Sequence, residues 1–171
     1  VTVAAAGAPA EGGGTATYTI TTVATLEVAL TVNFTMSGLA STVTGTDYTL
    51  SGAAYTGPTG TATLAIGAGS STVITLTVAN DLLVEGPEDA VLTLNAGTQY
   101  VVGVPASATR NITDNDSTTI TMVAAGAPSE AGVVTGTYTI TATPQPVYAT
   151  SVNLSLSGTA QFGAGFDYAV S

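Results

Sequence analysis

The sequence predicts an all-β protein, and three observations lead to that prediction. Apolar residues alternate with threonine over several short segments, glycine and proline separate those segments, and 45% of the 171 residues are hydrophobic. Alternation with a period of two places one face of a strand in a core and the other face in solvent. Segments of this kind bounded by glycine and proline are typical of strands rather than helices. The hydrophobic content is sufficient for a packed core and argues against disorder.

Six alternating segments follow the opening residues of the chain. In order, their apolar positions are Ala16, Tyr18 and Ile20; Val28, Leu30, Val32 and Phe34; Ala62, Leu64 and Ile66; Ile74, Leu76 and Val78; Ala90, Leu92 and Leu94; and a last strand over 106–112. Turn signals fall between them at 11–14, 37–38, 57–58 and 67–70. With the opening residues as a further strand, this spacing predicts an immunoglobulin-like antiparallel β-sandwich of about seven strands.

The chain also repeats itself with a period of about 120 residues. Residues 1–11 match 120–130, and after one inserted residue 15–20 match 135–140 in a register that continues through Asp47 and its counterpart Asp167. A period of this length is that of a whole domain and is too long for a solenoid unit. We therefore predict a complete domain at 1–117 and the amino-terminal part of a second copy at 118–171.

The composition excludes several classes of function. The chain has no histidine, cysteine or lysine, so most side chains of acid–base and nucleophilic catalysis are missing and a Cys/His zinc site is excluded. Arg110 is the only basic residue and the net charge is −10, so a phosphate backbone would be repelled and nucleic-acid binding is not expected. The sequence contains no run of eighteen or more apolar residues, so it does not predict a membrane span. We do not expect the protein to be an enzyme. Glu85 and Glu88 could be read as a glycosidase pair, but they share one loop and no aromatic sugar-stacking residues lie near them.

Nine of the eleven acidic residues occupy positions of the repeated pattern. Seven lie in four loops of the first copy, and two stand where the second copy places the counterparts of the first two; they are Glu11, Asp47, Asp81, Glu85, Glu88, Asp114, Asp116, Glu130 and Asp167. Loops gather at the ends of a sandwich, where converging carboxylates would repel one another unless a cation neutralised them. Calcium prefers such oxygen ligands, so these nine residues are the candidate Ca²⁺ ligands. Glu27 and Asp89 are interpreted as surface charges.

The spacing of these acids resembles that of the Calx-beta domain, a family known from sodium/calcium exchangers, integrin β4 and bacterial surface proteins. The features that carry the resemblance are Asp81-x-x-x-Glu85-Gly-x-Glu88, then Ile112-x-Asp-Asn-Asp116, the Gly45-x-Asp-Tyr48 turn and Glu11. The resemblance covers 1–117 fully and 118–171 in part. It implies a seven-stranded sandwich with calcium at one end. Asn115 stands where the exchanger domains have an acid, which implies fewer ions or weaker binding.

Two functions fit this interpretation. The favoured one is a calcium-binding structural or adhesive module of a long extracellular or cell-surface repeat protein or fibre, in which calcium stiffens domain ends and junctions. The alternative is a calcium-sensing regulatory domain coupled to a partner domain. The expected partners are neighbouring repeats or identical subunits. The incomplete second copy belongs either to a longer array or to a head-to-tail fibre formed by strand addition.

Overall fold

The computed structural model describes most of the chain as two compact units, Val1–Asp116 and Ser117–Ser171. The described residues are 1–40, 47–129, 131–132, 134–163 and 167–168. Two parts of the predicted sites, Glu130 and residues 45–46 of the turn before Asp47, lie outside them. The boundary between the units falls one residue earlier than the predicted one. No helix within the described ranges is long and apolar enough to cross a membrane.

Eleven strands form the described part of the first unit. They are β1 (Thr2–Gly7), β2 (Thr15–Thr21), β3 (Thr25–Leu26), β4 (Leu30–Ser37), β5 (Tyr48–Ser51), β6 (Ala54–Tyr55), β7 (Thr59–Leu64), β8 (Gly67–Ala68), β9 (Ser71–Val78), β10 (Glu88–Leu94) and β11 (Ser107–Ile112). One sheet has the order β1-β2-β9-β5 and the other the order β11-β10-β4-β7-β6, while β3 and β8 form a separate short pair. Neighbouring strands run antiparallel.

A single hydrophobic core lies between the two sheets, which confirms the predicted sandwich. Burial alternates along each long strand, as in β2, where Ala16, Tyr18 and Ile20 are buried between less buried threonines. Phe34 and other apolar residues of the second sheet face them. Full burial of a large apolar side chain stabilises a fold by about 1.5–3 kcal/mol. The Tyr18 hydroxyl also donates to the carbonyl of Ala90, 2.7 Å away in the opposite sheet.

The long strands match the prediction, with two differences in detail. The predicted strands over 28–34 and 62–66 extend too far, because Val28 and Ile66 lie outside β4 and β7 and are 68% and 67% exposed. These two apolar side chains lie in loops, where they extend the alternating sequence pattern although the strand itself does not reach them. The prediction also lacks β5 and the two-residue strands. These elements are too short to show a period, and their pairing depends on neighbours distant in sequence.

Arg110 closes one side of the sandwich. It lies in β11, at the edge of one sheet, and its guanidinium donates to the carbonyls of Ala5 and Gly7 in β1, at the edge of the other sheet. Backbone hydrogen bonds add to this connection. The amide of Val3 donates to the carbonyl of Pro105, and the amide of Thr113 donates to the carbonyl of Pro9. These bonds leave the acidic end of the unit, described below, without a basic side chain of its own.

Among its described residues, the second unit contains one hairpin, formed by β12 (Thr119–Ala125) and β13 (Thr137–Thr143). Its register repeats that of β1 and β2, because Met122 pairs with Ile140 as Val3 pairs with Ile20. None of the described residues of this unit is buried. Residues 150–157 carry the apolar pattern of β4 but form no strand. In the first unit, β4 pairs with β7 and β10, and the sequence holds no second copy of either.

Candidate metal site

Four loops meet at one end of the first unit, where β2 and β10 begin and β9 and β11 end. Backbone hydrogen bonds fasten these loops to one another. The backbone amide of Ala79 donates to the backbone carbonyl of Asp47 at 2.8 Å. In the same way, the amide of Val78 donates to the carbonyl of Gly14 at 3.2 Å, and the amide of Glu11 donates to the carbonyl of Thr113 at 3.0 Å. The folded backbone therefore brings together segments that are far apart in the sequence, before any side chain is considered.

The first carboxylate group at this end consists of Glu11, Asp81 and Asp116, which we call triad A. One carboxylate oxygen of each lies within 4.8 Å of the others, and all three side chains are partly buried. Glu11 Oε2 and Asp116 Oδ2 are inaccessible to solvent and have no hydrogen-bond partner among the described residues. Buried polar atoms are nearly always satisfied, and these two oxygens could coordinate a cation.

Asparagines and backbone amides hold triad A in place. Asp81 Oδ1 accepts a hydrogen bond from the amide of Leu83 at 2.7 Å, and the backbone of Asn115 donates to the Glu11 carboxylate. The side-chain amide of Asn115 donates to Asn80 Oδ1 at 3.1 Å, linking the loop before Asp116 to the loop that carries Asp81. Asn115 thus links two loops of this chain.

The second group consists of Asp47, Glu85 and Glu88, which we call triad B. Again one oxygen of each lies within 4.8 Å of the others. Glu88 is only 7% exposed and is the first residue of β10. A carboxylate that is almost fully buried is costly unless it is paired, protonated or bound to a cation. Triads A and B share the loop 80–88, since Asp81 belongs to one and Glu85 and Glu88 to the other.

Asp114 belongs to neither triad but contacts the backbone of both. Its Oδ2 accepts hydrogen bonds from the amides of Glu85 and Gly86, each at 2.8 Å, and its Oδ1 accepts one from the amide of Asp116 at 2.7 Å. Gly86 has a φ of +78°, in the left-handed region that favours glycine. Burial opposes ionisation of Asp114, but these three hydrogen bonds outweigh it and lower its pKa below the usual range.

The other resolved pKa changes at this end go in the opposite direction. Burial raises the pKa of Glu85 to about 7, and the neighbouring charges of Asp47 and Glu88 add to the effect. Burial and then the charge of Asp81 raise the pKa of Glu11. The protein's own cations do not relieve this repulsion. Arg110 binds carbonyls of β1, and the amino terminus of Val1 donates to the carbonyl of Val101.

The structure brings together six of the seven acids predicted as ligands in the first copy, as triads A and B, and places Asp114 beside them as a hydrogen-bond acceptor. In the second unit, Asp167 Oδ2 accepts a hydrogen bond from the amide of Gln161 at 2.8 Å. Asp89, interpreted above as a surface charge, has a structural contact. Its Oδ1 accepts from the amide of Leu39 at 2.7 Å. No periodic signal in the sequence indicates that bond.

Comparison with known proteins finds similar folds among solved structures. The calcium binding domain CBD12 of CALX1.1 is 21% identical with a TM-score of 0.45, and CBD12 from CALX1.2 is 21% identical with a TM-score of 0.46. Each alignment covers 64% of this chain and 42% of the other, so the chain spans less than half of those proteins. The apo-form Calx CBD1 domain is 18% identical over 67% of this chain and 98% of its own, with a TM-score of 0.42.

These structural neighbours are domains of the kind that the acidic motifs resemble. No protein-family model and no curated protein matches the sequence. These similarities concern the fold alone. A functional conclusion therefore depends on the geometry of the two triads.

Proposed function

We propose that the first unit is a calcium-binding module, with one ion held by triad A and one by triad B. The observation that carries the proposal is the convergence of six carboxylates from four loops into two groups, within each of which the oxygens lie within 4.8 Å of each other. The two buried and unpartnered oxygens of triad A support it. A bound cation would satisfy those oxygens and neutralise the charges that raise the pKa of Glu11 and Glu85.

The donor chemistry favours calcium over other ions. All six ligating groups are carboxylates, which are hard oxygen donors, and the chain holds no histidine or cysteine for zinc or copper. Magnesium usually binds through one or two carboxylates and keeps several waters, whereas calcium accepts many protein oxygens in flexible geometry. Three carboxylates on each ion, with backbone carbonyls or water completing the shell, match the calcium pattern.

We further propose a structural or adhesive role in a repeat protein at the cell surface or outside the cell. Asp116, a member of triad A, is the last residue of the first unit, and Ser117 begins the second. An ion at triad A would therefore fix the chain at the junction between repeats. The partners in this proposal are neighbouring repeats or identical subunits. The edge of β13 that is unpaired among the described residues would accept a strand from such a partner by antiparallel addition.

Calorimetric titration of the metal-free chain with calcium tests the binding. We expect two ions per chain, and about 1 mM affinity or somewhat tighter if the module is extracellular. Asp81→Asn should remove one ion and Glu85→Gln the other. Glu27→Gln, which removes an equal charge from a residue outside both triads, is the matched control and should bind like the wild type. Absence of heat and of any bound calcium would refute the proposal. Affinity near 1 μM, roughly the sensor range, would favour the regulatory alternative.

Small-angle scattering of the 171-residue chain tests the structural role separately. We expect calcium to narrow the distribution of distances within the chain, because triad A includes the residue next to the junction. Asp116→Asn should leave the distribution broad in calcium. If wild-type profiles with bound calcium and without calcium are identical, the ions bind but do not stiffen the junction.

A further inference from the structure

Asp114 accepts hydrogen bonds from backbone amides on two separate segments of the acidic end. Its two oxygens accept hydrogen bonds from three backbone amides within 2.8 Å, two on the loop 80–88 that both triads share and one at Asp116 of triad A. It is adjacent to Asn115, which ties the same segment to Asn80. One carboxylate thus fixes the backbone at Glu85, Gly86 and Asp116 together.

We infer that Asp114 is a positioning residue that holds triads A and B together and acts through the backbone, not as an ion ligand. This inference rests on the proposed calcium function. Side chains placed on loops need support from outer hydrogen bonds if their oxygens are to stay within ligand distance of one another. Here the supporting group is shared, because the amides of Glu85 and Asp116, which bind opposite oxygens of Asp114, belong to residues of different triads.

The lone pairs of Asp114 explain why it is better suited to this role than to direct ligation. Two of the three hydrogen bonds converge on Oδ2 and the third occupies Oδ1. An ion bound to Oδ2 would compete with the amides of Glu85 and Gly86, whereas Oδ1 accepts one amide and keeps one lone pair. The six triad carboxylates, by contrast, converge on each other, and two of their oxygens have no donor at all among the described residues.

If Asp114 positions both triads through its three amide hydrogen bonds, which we call the Asp114 clamp, its substitution should weaken calcium binding at both sites. Substitution of a residue that ligates one ion should weaken binding at that site only. Asp114→Asn replaces one accepting oxygen by a donor, so at least one of the three amide bonds is lost. We expect calcium affinity to fall by about 10–100-fold at both sites, the range typical of outer-shell groups. Asp114→Glu keeps the charge but moves the oxygens, and we expect the same loss at both sites. Asp47→Asn should weaken one site only.

The experiment combines calcium titration with amide NMR of the full chain. In the wild type, the amide protons of Glu85, Gly86 and Asp116 should be shifted downfield and exchange slowly both in metal-free buffer and in saturating calcium. In Asp114→Asn, some or all of these signals should lose that character while the core amides remain unchanged. Asp89→Asn is the matched control. It removes another carboxylate bonded to a backbone amide, that of Leu39, and should leave both calcium affinities intact.

Each result decides the inference. Loss of only one site in Asp114→Asn, or loss of the downfield shift at Glu85 and Gly86 when calcium binds the wild type, would show that Asp114 is itself a ligand. Unprotected amides in the metal-free wild type would show that the clamp does not exist. A wild type that keeps the clamp but binds no calcium would refute the proposed function and leave Asp114 a structural residue, so the two failures are distinguishable.

Discussion

The two units begin with the same hairpin but place its side chains in opposite environments. Tyr18 and Ile20 in β2 are fully buried, whereas their counterparts Tyr138 and Ile140 in β13 are 63% and 38% exposed. The pairing register is nevertheless the same in both hairpins. Local sequence and the alternating pattern therefore suffice for strand pairing, while burial requires an opposite sheet, which among the described residues only the first unit has.

The same comparison applies to the acids. In the first unit, Asp47 lies with Glu85 and Glu88 in triad B, while its counterpart Asp167 accepts a hydrogen bond from Gln161. The sequence of the second unit contains no counterparts of Glu85 and Glu88. In the first unit, strands β9 and β10 bring the shared loop 80–88 to the carboxylate at the repeated position.

The largest expected effect is on the core. Tyr18→Ala removes a buried ring and should destabilise the first unit by about 3–5 kcal/mol, as for other large aromatic truncations. Tyr138→Ala, at the equivalent exposed position, should change stability by less than about 0.5 kcal/mol. Urea denaturation followed by circular dichroism measures both. Equal effects of the two substitutions would contradict the difference between the units.

Calcium should stabilise the first unit alone. An ion that binds only the folded state adds about 2.7 kcal/mol at a hundredfold excess over its dissociation constant. Asp81→Asn should lose the contribution of triad A, and Asp167→Asn should lose nothing. Thermal melting in metal-free buffer and in calcium measures the shift. A loss with Asp167→Asn as large as with Asp81→Asn would place the ions outside the proposed triads.

The smallest expected effect is a pH dependence of the metal-free fold. Because the pKa of Glu85 rises from 4.5 to about 7 on folding, its protonated form contributes stability below pH 4.5 that is lost as pH rises toward 7. Glu11 acts in the same direction. The unfolding free energy in metal-free buffer should therefore fall over this interval.

The Glu85→Gln variant should show a flatter pH profile, and Glu27→Gln should keep the wild-type slope. Saturating calcium should remove the decline, since the ion binds the ionised carboxylates. An unfolding free energy that rises between pH 4.5 and 7 in metal-free buffer would contradict the crowding of acids at triads A and B.

The sequence was sufficient to predict the sandwich, its long strands and most of the acidic end. Alternation identifies strands such as β2 and β9, because a half-buried strand requires it. Alternation could not locate the ends of β4 and β7, where Val28 and Ile66 extend the pattern into loops. It also could not separate the acids into two triads or reveal the contacts of Asp114, because these depend on loop backbone geometry.

Hydrogen exchange with mass spectrometry, in metal-free buffer and in saturating calcium, tests the central claim most directly. We propose that two ions bind at the acidic end of the first unit, on loops held by Asp114. Calcium should slow exchange in peptides that cover 10–15, 79–89 and 112–117 and should leave 120–143 unchanged. Slowed exchange in β12 and β13 without any change in 79–89 would contradict the account.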